Sequence, residues 1–300
     1  MRRTATIIGD TSAFHLGSRV NYAKFSALAA EKYDVLQHIP YDAFGTKFIG
    51  YHEFRKKLEA SCWLKGCLES DVFIVHGEGL TERRDDYVYP YLYFSRLGKE
   101  LGKESQLVNF CMYEGKPFAG FLADFDYMAC RDRLTREHLE GLGFRPELSF
   151  DCCVLGGGIR AHLESDGTVS AIRGRHKPAA AVMAKFNAVK YNCAWQWDSK
   201  GAVSCGSLEE YLDRISRSSF AISTSFHGNI FAYLAGIPFV SLDRGNRKYE
   251  SVEIDVLPEE WRNISPERCA VMAAGGRGEL RGHFMRTYPS LVKRAMLNVR

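Results

Sequence analysis

Short apolar runs alternate with segments of helical spacing along most of the chain, and this alternation limits the possible folds more than any other feature. The first run covers Thr4 to Gly9 and ends at a Gly-Asp turn signal. The segment 18–32 follows it with apolar residues at helical spacing. Continuous apolar runs are typical of strands buried on both faces, and helices form their crossover connections. The pattern therefore predicts an α/β fold with a parallel, doubly wound sheet.

The same alternation predicts the remaining elements and the domain organisation. Further strands are expected at 34–37, 71–75, 106–111, 127–130, 220–223 and 238–242. Further helices are expected at 52–68, 89–101, 135–142, 179–186, 207–216 and 226–235. Residues 156–177 are rich in Gly, Ser, Asp and Arg and lack periodicity, so we place an interdomain linker there. The prediction is one domain over 1–155 and a second, shorter one over 178–300.

Net charge and cysteine content limit the candidate partners and cofactors of the protein. Forty Lys and Arg against 36 Asp and Glu give a net charge of +4, too small to indicate nucleic acid or an acidic membrane as a partner, but suited to an anionic small substrate. The nine cysteines show no C-x-x-C pair and no zinc-ligand spacing, so we interpret them as reduced, mostly buried thiols and expect no metal. Because no run suits a signal peptide or a membrane span, we expect a cytoplasmic protein.

The densest signal lies in residues 222–242, which read as strand, polar turn, helix and strand. Thr224 or Ser225 can cap the helix, and Gly236 can end it in a left-handed conformation. These signals fix the helix near residues 226–235.

His227 consequently falls in the first turn of that helix. The N–H groups of a first turn have no partner within the helix and carry partial positive charge, so a phosphate or carboxylate can dock there. A docked anion would favour the protonated imidazole, which is the behaviour of a general acid. The alternative is a histidine that binds only its own turn.

Loops after other predicted strands are also polar. Arg244, Arg247 and Lys248 follow the strand 238–242, where open α/β sheets bind ligands, although a solvated charge run would look the same. In the first domain, Asp10 and Glu78 follow two strands and could accept hydrogen bonds from sugar hydroxyls.

The segments that carry a family resemblance occur in order along the chain. They are Gly9-Asp10-Thr11-Ser12 with His15 and Gly17, Val72 to Gly79, Leu107-Val108-Asn109, Ala129 to Thr135, Pro146 to Phe150, and Ser225-Phe226-His227-Gly228 with Pro238 and Lys248. Together they resemble the polysaccharide pyruvyl transferase family over most of the chain.

The resemblance implies two Rossmann-like halves in a GT-B-like arrangement, with phosphoenolpyruvate as donor substrate and no other cofactor. The implied acceptor is a sugar on a glycan or lipid-linked precursor, which would gain a pyruvate ketal. Carried over residue by residue, the catalytic residues would be His227, Arg131 and Lys248. From the polar loops and the matching segments together, the predicted substrate-binding residues are Asp10, Ser12, His15, Gly17, His76, Glu78, Asn109, Ser225, Gly228, Arg244 and Arg247.

Two departures from the family pattern keep other functions open. Some members carry an arginine where this chain has Ser225, and the second half is short. A GT-B glycosyltransferase using a nucleotide sugar would share the fold, and a non-catalytic glycan-binding relative would keep it without turnover. The basic segment 277–300 predicts either a peripheral contact at the inner face of a membrane or a helix packed on its own domain. The sequence does not indicate an oligomeric state.

Overall fold

A computed structural model describes residues 2–12, 16–45, 48–78, 88–156, 168–173, 189–192, 205, 207–223, 225–241 and 287–295. The chain forms two compact units. The first comprises Met1–Ala13, Tyr22–Cys152 and Ser290–Arg300, and the second comprises Phe14–Asn21 and Cys153–Pro289. The main division lies close to the predicted end of the first domain at residue 155. Residues 14–21 and 290–300 each join the unit that lies further away in sequence, which a linear division could not anticipate.

The strands of the first unit are β1 (Thr4–Asp10), β2 (Asp34–Pro40), β3 (Val72–His76), β4 (Glu104–Phe110), β5 (Tyr127–Cys130) and β6 (Glu147–Leu148). They form one parallel sheet in the order β2-β1-β3-β4-β5-β6. Since β2 lies on one side of β1 and the later strands lie on the other, the direction of winding reverses between β1 and β3. Open α/β sheets bind ligands at the carboxyl ends of strands at such a point.

Helices connect these strands as the alternation predicts. They are α1 (Leu16–Lys32), α2 (Tyr51–Glu59), α3 (Leu64–Glu69), α4 (Tyr89–Leu101), α5 (Ala119–Leu122) and α6 (Arg133–Gly141). The core between helices and sheet is rich in aromatic rings, with Phe54 and Phe73 both packed against Phe94 of α4. This burial explains why β1 and β3 read as continuous apolar runs.

The predicted helix 52–68 is two helices, α2 and α3. Ser61 separates them because its hydroxyl donates to the Leu58 carbonyl at 2.7 Å and accepts from the Trp63 amide at 3.2 Å. These local bonds replace helical ones, which is how serine interrupts a helix.

The second unit contains β7 (Val169–Arg173), β8 (Val189–Asn192), β9 (Phe220–Ser223) and β10 (Phe239–Ser241) in a parallel sheet of order β10-β9-β7-β8. Its helices are α7 (Leu208–Ser216) and α8 (Phe226–Ala235). Here the winding reverses between β7 and β9. Residues 169–173 therefore belong to this sheet rather than to the predicted linker 156–177, because pairing with β8 and β9 supplies the order that their sequence lacks. The predicted helix 179–186 lies outside the described residues.

Residues 287–295 form a helix, α9, within the basic segment 277–300. Val292 and Ala295 are buried, and the Ala295 carbonyl accepts a hydrogen bond from the Tyr127 hydroxyl at 2.5 Å. Lys293 and Arg294 are exposed. The helix is therefore packed on the protein, but its end contacts Tyr127 and belongs to the first unit, whereas the prediction placed it on its own domain, 178–300. In the part of the chain that the structure describes, no helix is both long and apolar enough to cross a bilayer.

The cysteines of the described ranges are free thiols, as expected. Cys62 is exposed, whereas the others are buried: Cys67, Cys111, Cys130, Cys152, Cys153 and Cys205. Burial raises the pKa of the Cys67 thiol to about 12, so it stays protonated at neutral pH.

Candidate functional site

The carboxyl ends of β1 and β3 carry two carboxylates at the point where the first sheet reverses its winding. The Thr11 hydroxyl donates to Glu78 Oε2 at 3.1 Å, and both residues are buried. The Ser12 amide donates to Asp10 Oδ1 at 2.7 Å. Asp10, Ser12 and Glu78 therefore lie at one edge of the sheet, as the sequence predicts, and the chain itself orients both carboxylates.

His76 and Asn109 form a fully buried pair at the same edge, at the ends of β3 and β4. Asn109 Nδ2 lies 2.8 Å from His76 Nε2. Asn109 has a φ of 54°, in the left-handed region, at an irregularity in the pairing of β4 with β5. Burial lowers the pKa of His76 to about 3, so the imidazole is neutral at physiological pH. A neutral Nε2 accepts the bond from Asn109, and the pair joins the two strand ends.

Arg131 follows β5 and forms a buried ion pair with Asp151. Its Nη1 lies 2.8 Å from Asp151 Oδ2, with side chains 1% and 0% exposed. Its Nε donates to Cys111 Sγ. Two opposite charges buried this closely balance each other, so the guanidinium adds little net positive charge to its surroundings.

Asp132 has a different role from its neighbour Arg131. Its carboxylate caps α6 by accepting from the Thr135 amide at 2.7 Å and from the Thr135 hydroxyl at 2.8 Å. The Met112 amide donates to the same hydroxyl at 2.8 Å, which ties the loop after β4 to the start of α6. The Arg-Asp-x-x-Thr spacing thus places a buried cation and a helix cap side by side. The sequence signal for the cap was Asp132 itself, since aspartate is a preferred N-cap residue.

Gly77 packs closely against the neighbouring strand end. A Cβ on Gly77 would lie 2.3 Å from Phe110 Cβ, so a glycine is needed where the ends of β3 and β4 meet. The Gly77 amide also donates to the Val108 carbonyl at 2.8 Å.

In the second unit, α8 begins directly after β9, at the reversal point of its sheet. Ser225 is the N-cap, with its hydroxyl accepting from the Gly228 amide at 3.4 Å, and Gly236 ends the helix with a φ of 71°. Both features confirm the sequence prediction, as does the position of His227 in the first turn. His227 is 7% exposed. Gly228 is tightly enclosed, since a Cβ there would lie 2.4 Å from Ile172 Cγ2.

Gly17 lies in the first turn of α1 and contacts His227 within this unit. A Cβ on Gly17 would lie 2.4 Å from His227 Cγ, so the imidazole occupies the space where a side chain would be.

The structure thus groups the predicted residues into two sets. The first unit brings together Asp10, Ser12, His76, Glu78, Asn109 and Arg131, and the second brings together Gly17, Ser225, His227 and Gly228. His15, Arg244, Arg247 and Lys248 lie outside the described residues. Sequence reasoning missed Thr11, Cys111 and Asp151, because their roles depend on partners from other loops.

Solved structures of the GT-B class share this fold. A putative UDP-N-acetylglucosamine 2-epimerase from Listeria monocytogenes has a TM-score of 0.56 at 10% identity, covering 99% of this chain and 94% of that chain. A lipopolysaccharide outer core galactosyltransferase in its apo form has a TM-score of 0.55 at 13% identity, covering 99% and 98%. The S. aureus MnaA-UDP co-structure has a TM-score of 0.54 at 12% identity, covering 100% and 98%. At such identities the likeness establishes the fold, which does not fix the chemistry.

The family is established by sequence. The family model for polysaccharide pyruvyl transferase matches residues 13–246, a span that includes Arg131 and His227. The chain therefore belongs to the polysaccharide pyruvyl transferase family, which confirms the resemblance described above. A comparison with curated protein sequences gave no match.

Proposed function

We propose that this protein transfers the enolpyruvyl group of phosphoenolpyruvate to a sugar and closes it into a pyruvate ketal. The observation that carries the proposal is the position of His227. This histidine lies in the first turn of a capped helix, at the reversal point of the second sheet, in a chain of the pyruvyl transferase family. A helix start supplies N–H groups for an anion, and an imidazole beside it can supply a proton.

The first step is protonation of the donor. His227 would give a proton to the methylene carbon of phosphoenolpyruvate, which becomes the methyl group and leaves an oxocarbenium-like centre at the adjacent carbon. A sugar hydroxyl then forms a bond to that carbon and loses its proton. The N–H groups at the start of α8 would stabilise the phosphate during this step.

The second step closes the ketal. The carbon–oxygen bond to phosphate breaks, and a second hydroxyl of the same sugar attacks the carbon. Of the two hydroxyl protons, one replaces the proton given by His227 and the other leaves with inorganic phosphate, so atoms and charge balance. Because both hydroxyls belong to one sugar, the second attack is intramolecular and gains from proximity.

The first unit fits the acceptor in this proposal. Asp10 and Glu78 present carboxylate oxygens at the end of the first sheet, and carboxylates accept hydrogen bonds from sugar hydroxyls. Arg131 has its charge balanced by Asp151, so we propose that it orients oxygen atoms by its hydrogen-bonding geometry. Lys248 is proposed as a donor ligand from the family resemblance alone.

The test is release of phosphate from phosphoenolpyruvate, measured with a panel of glycosyl acceptors. We expect acceptor-dependent release that falls by about 100-fold to 10,000-fold in His227→Ala, the range of general acid catalysis. The matched control is His52→Ala, which removes an exposed histidine of α2 and should keep full activity. Lys248→Ala is expected to raise the KM for phosphoenolpyruvate.

Two outcomes would contradict the proposal. Phosphate release that is unchanged in folded His227→Ala would show that His227 is not the general acid. Absence of release with every acceptor, together with calorimetric binding of a nucleotide sugar, would instead favour a glycosyltransferase.

A further inference from the structure

The first turn of α1 leaves a space that the imidazole of His227 fills. The three atoms nearest to an ideal Cβ on Gly17 all belong to His227: Cγ at 2.4 Å, Nδ1 at 2.5 Å and Cβ at 2.7 Å. Real Cβ atoms do not approach other heavy atoms this closely, so even an alanine would have to displace the ring. The absence of a side chain at residue 17 is therefore what lets the imidazole occupy its position.

The starts of α1 and α8 are each held by contacts of their own. Cys153 Sγ donates to the Gly17 carbonyl at 3.2 Å, which adds a hydrogen bond to the turn that carries Gly17. On the other side, the Ser225 cap and the enclosed Gly228 fix the start of α8, so the Cβ of His227 is placed by the helix itself. Rotation of the His227 side chain could move Cγ and Nδ1 away from an added methyl group, but the contact with His227 Cβ at 2.7 Å could be relieved only by a shift of one of the two helix starts. Either adjustment displaces the imidazole.

We infer that Gly17 is a positioning residue for His227, setting the orientation of its imidazole rather than contacting substrate. The catalytic consequence rests on the proposed function, whereas the contact itself does not. This role differs from the substrate-binding role expected from sequence for Gly17.

The geometry also assigns the ring nitrogens. Nδ1 is among the three atoms nearest to the position that a Gly17 Cβ would take, and Nε2 is not. The Nδ1 edge therefore lies over the start of α1, and Nε2 lies further from it. Nε2 is the nitrogen that we expect to deliver the proton in the proposed reaction.

The kinetic test compares Gly17→Ala, His227→Gly and the double variant. His227→Gly removes the three atoms nearest to the position that an alanine Cβ would take at residue 17. We expect Gly17→Ala to lower kcat by about 100-fold with little change in the KM for phosphoenolpyruvate, since misplacing a catalytic group by about 1 Å can cost that much. The double variant should be no slower than His227→Gly, because the loss acts through the ring. The matched control is Gly120→Ala in α5, where an added Cβ would meet no atom within 4 Å.

A second measurement does not depend on phosphoenolpyruvate. In protein labelled with ¹⁵N-histidine, the His227 resonances are identified by their loss in His227→Gly, and we expect them to shift in Gly17→Ala but not in Gly120→Ala. This separates failure of the inference from failure of the proposed function, because the resonances report the ring position in an enzyme of any specificity.

Three outcomes would overturn the inference. The first is that the His227 resonances are unchanged in Gly17→Ala. The second is that Gly17→Ala lowers kcat by the same factor in the wild-type protein and in His227→Gly. The third is that the double variant fails to fold while His227→Gly folds. If Gly17→Ala alone failed to fold, recovery of folding in the double variant would support the inference.

Discussion

The carboxyl edge of the first sheet and the start of α8 hold the predicted site residues in different ways. At the first, buried side chains bind one another, as in Arg131 with Asp151 and His76 with Asn109. At the second, backbone N–H groups of a helix start supply the polarity, and His227 rests against Gly17.

Because of this difference, substitutions in the two regions should affect different properties of the protein. Substitution of one member of a buried pair is destabilising, because the other member is left without its hydrogen bonds or counter-charge. The N–H groups of a helix start belong to the backbone, so they persist when a nearby side chain is changed. We therefore expect substitutions at the first edge to cost folding free energy and those at the start of α8 to affect turnover more than stability.

The largest effect is expected at the buried ion pair. Arg131→Met should lower the free energy of unfolding by about 3–5 kcal/mol, because it removes the guanidinium that pairs with a buried carboxylate. Arg131→Met combined with Asp151→Leu should recover most of this loss. The measurement is urea denaturation followed by circular dichroism.

Arg136→Met is the matched control for this prediction. Arg136 pairs with Glu140 on the exposed face of α6, and such pairs contribute less than about 1 kcal/mol. Equal losses of unfolding free energy in Arg131→Met and Arg136→Met would show that the buried pair is no more important for stability than an exposed one.

The next effect is a dependence of stability on pH. The pKa of His76 is lowered to about 3 in the folded protein, chiefly by burial, whereas an unfolded chain has a histidine pKa of about 6.5. Between these values the unfolded chain binds a proton that the folded protein does not, so stability falls as the pH falls. Between pH 6.5 and 4 the loss should be about 3 kcal/mol.

His76→Gln should flatten this dependence, since glutamine does not titrate and its amide can still bond to Asn109. The control is His52→Gln, which changes an exposed histidine and should leave the slope unaltered. Denaturation midpoints measured between pH 4 and 7 provide the comparison. If stability depended on pH equally steeply in His76→Gln, the dependence would have to come from other titratable groups.

A smaller effect is expected at Gly77. Gly77→Ala should cost about 2 kcal/mol, because the new methyl group would overlap Phe110 where β3 and β4 end. Gly120→Ala, in open surroundings within α5, should be neutral or stabilising by up to about 1 kcal/mol. Thermal denaturation of both variants tests the difference, and a neutral Gly77→Ala would show that this strand end can rearrange.

The smallest effect on stability is expected at the cap of α8. Ser225→Ala should cost about 1 kcal/mol, whereas Ser225→Asp keeps a capping oxygen and should cost less. The aspartate places a negative charge beside the proposed donor site, so Ser225→Asp should raise the KM for phosphoenolpyruvate more than Ser225→Ala does. The opposite ranking of KM values would show that phosphoenolpyruvate does not bind at the start of α8.

Much of the fold could be predicted from local signals. The strand at 220–223, the helix at 226–235 and its end at Gly236 were predicted with the bounds that the structure shows. These features depend on periodicity, on a serine that bonds within its own turn and on a glycine that adopts a positive φ. All of them act between residues a few positions apart.

Other features required the tertiary structure. The sequence shows Arg131, Asp151, Gly17 and His227 but does not show which of them meet. Asp151 pairs with Arg131 because β5 and β6 are neighbours in the first sheet, and Gly17 meets His227 because the start of α1 joins the second unit. Likewise, pairing within the second sheet, rather than any pattern in its own residues, makes 169–173 a strand. Local hydrogen bonding and hydrophobic periodicity thus determine the helices and strands. Strand order and packing determine which residues each site residue contacts. The sequence alone does not show these contacts, because they join parts of the chain that share no local signal.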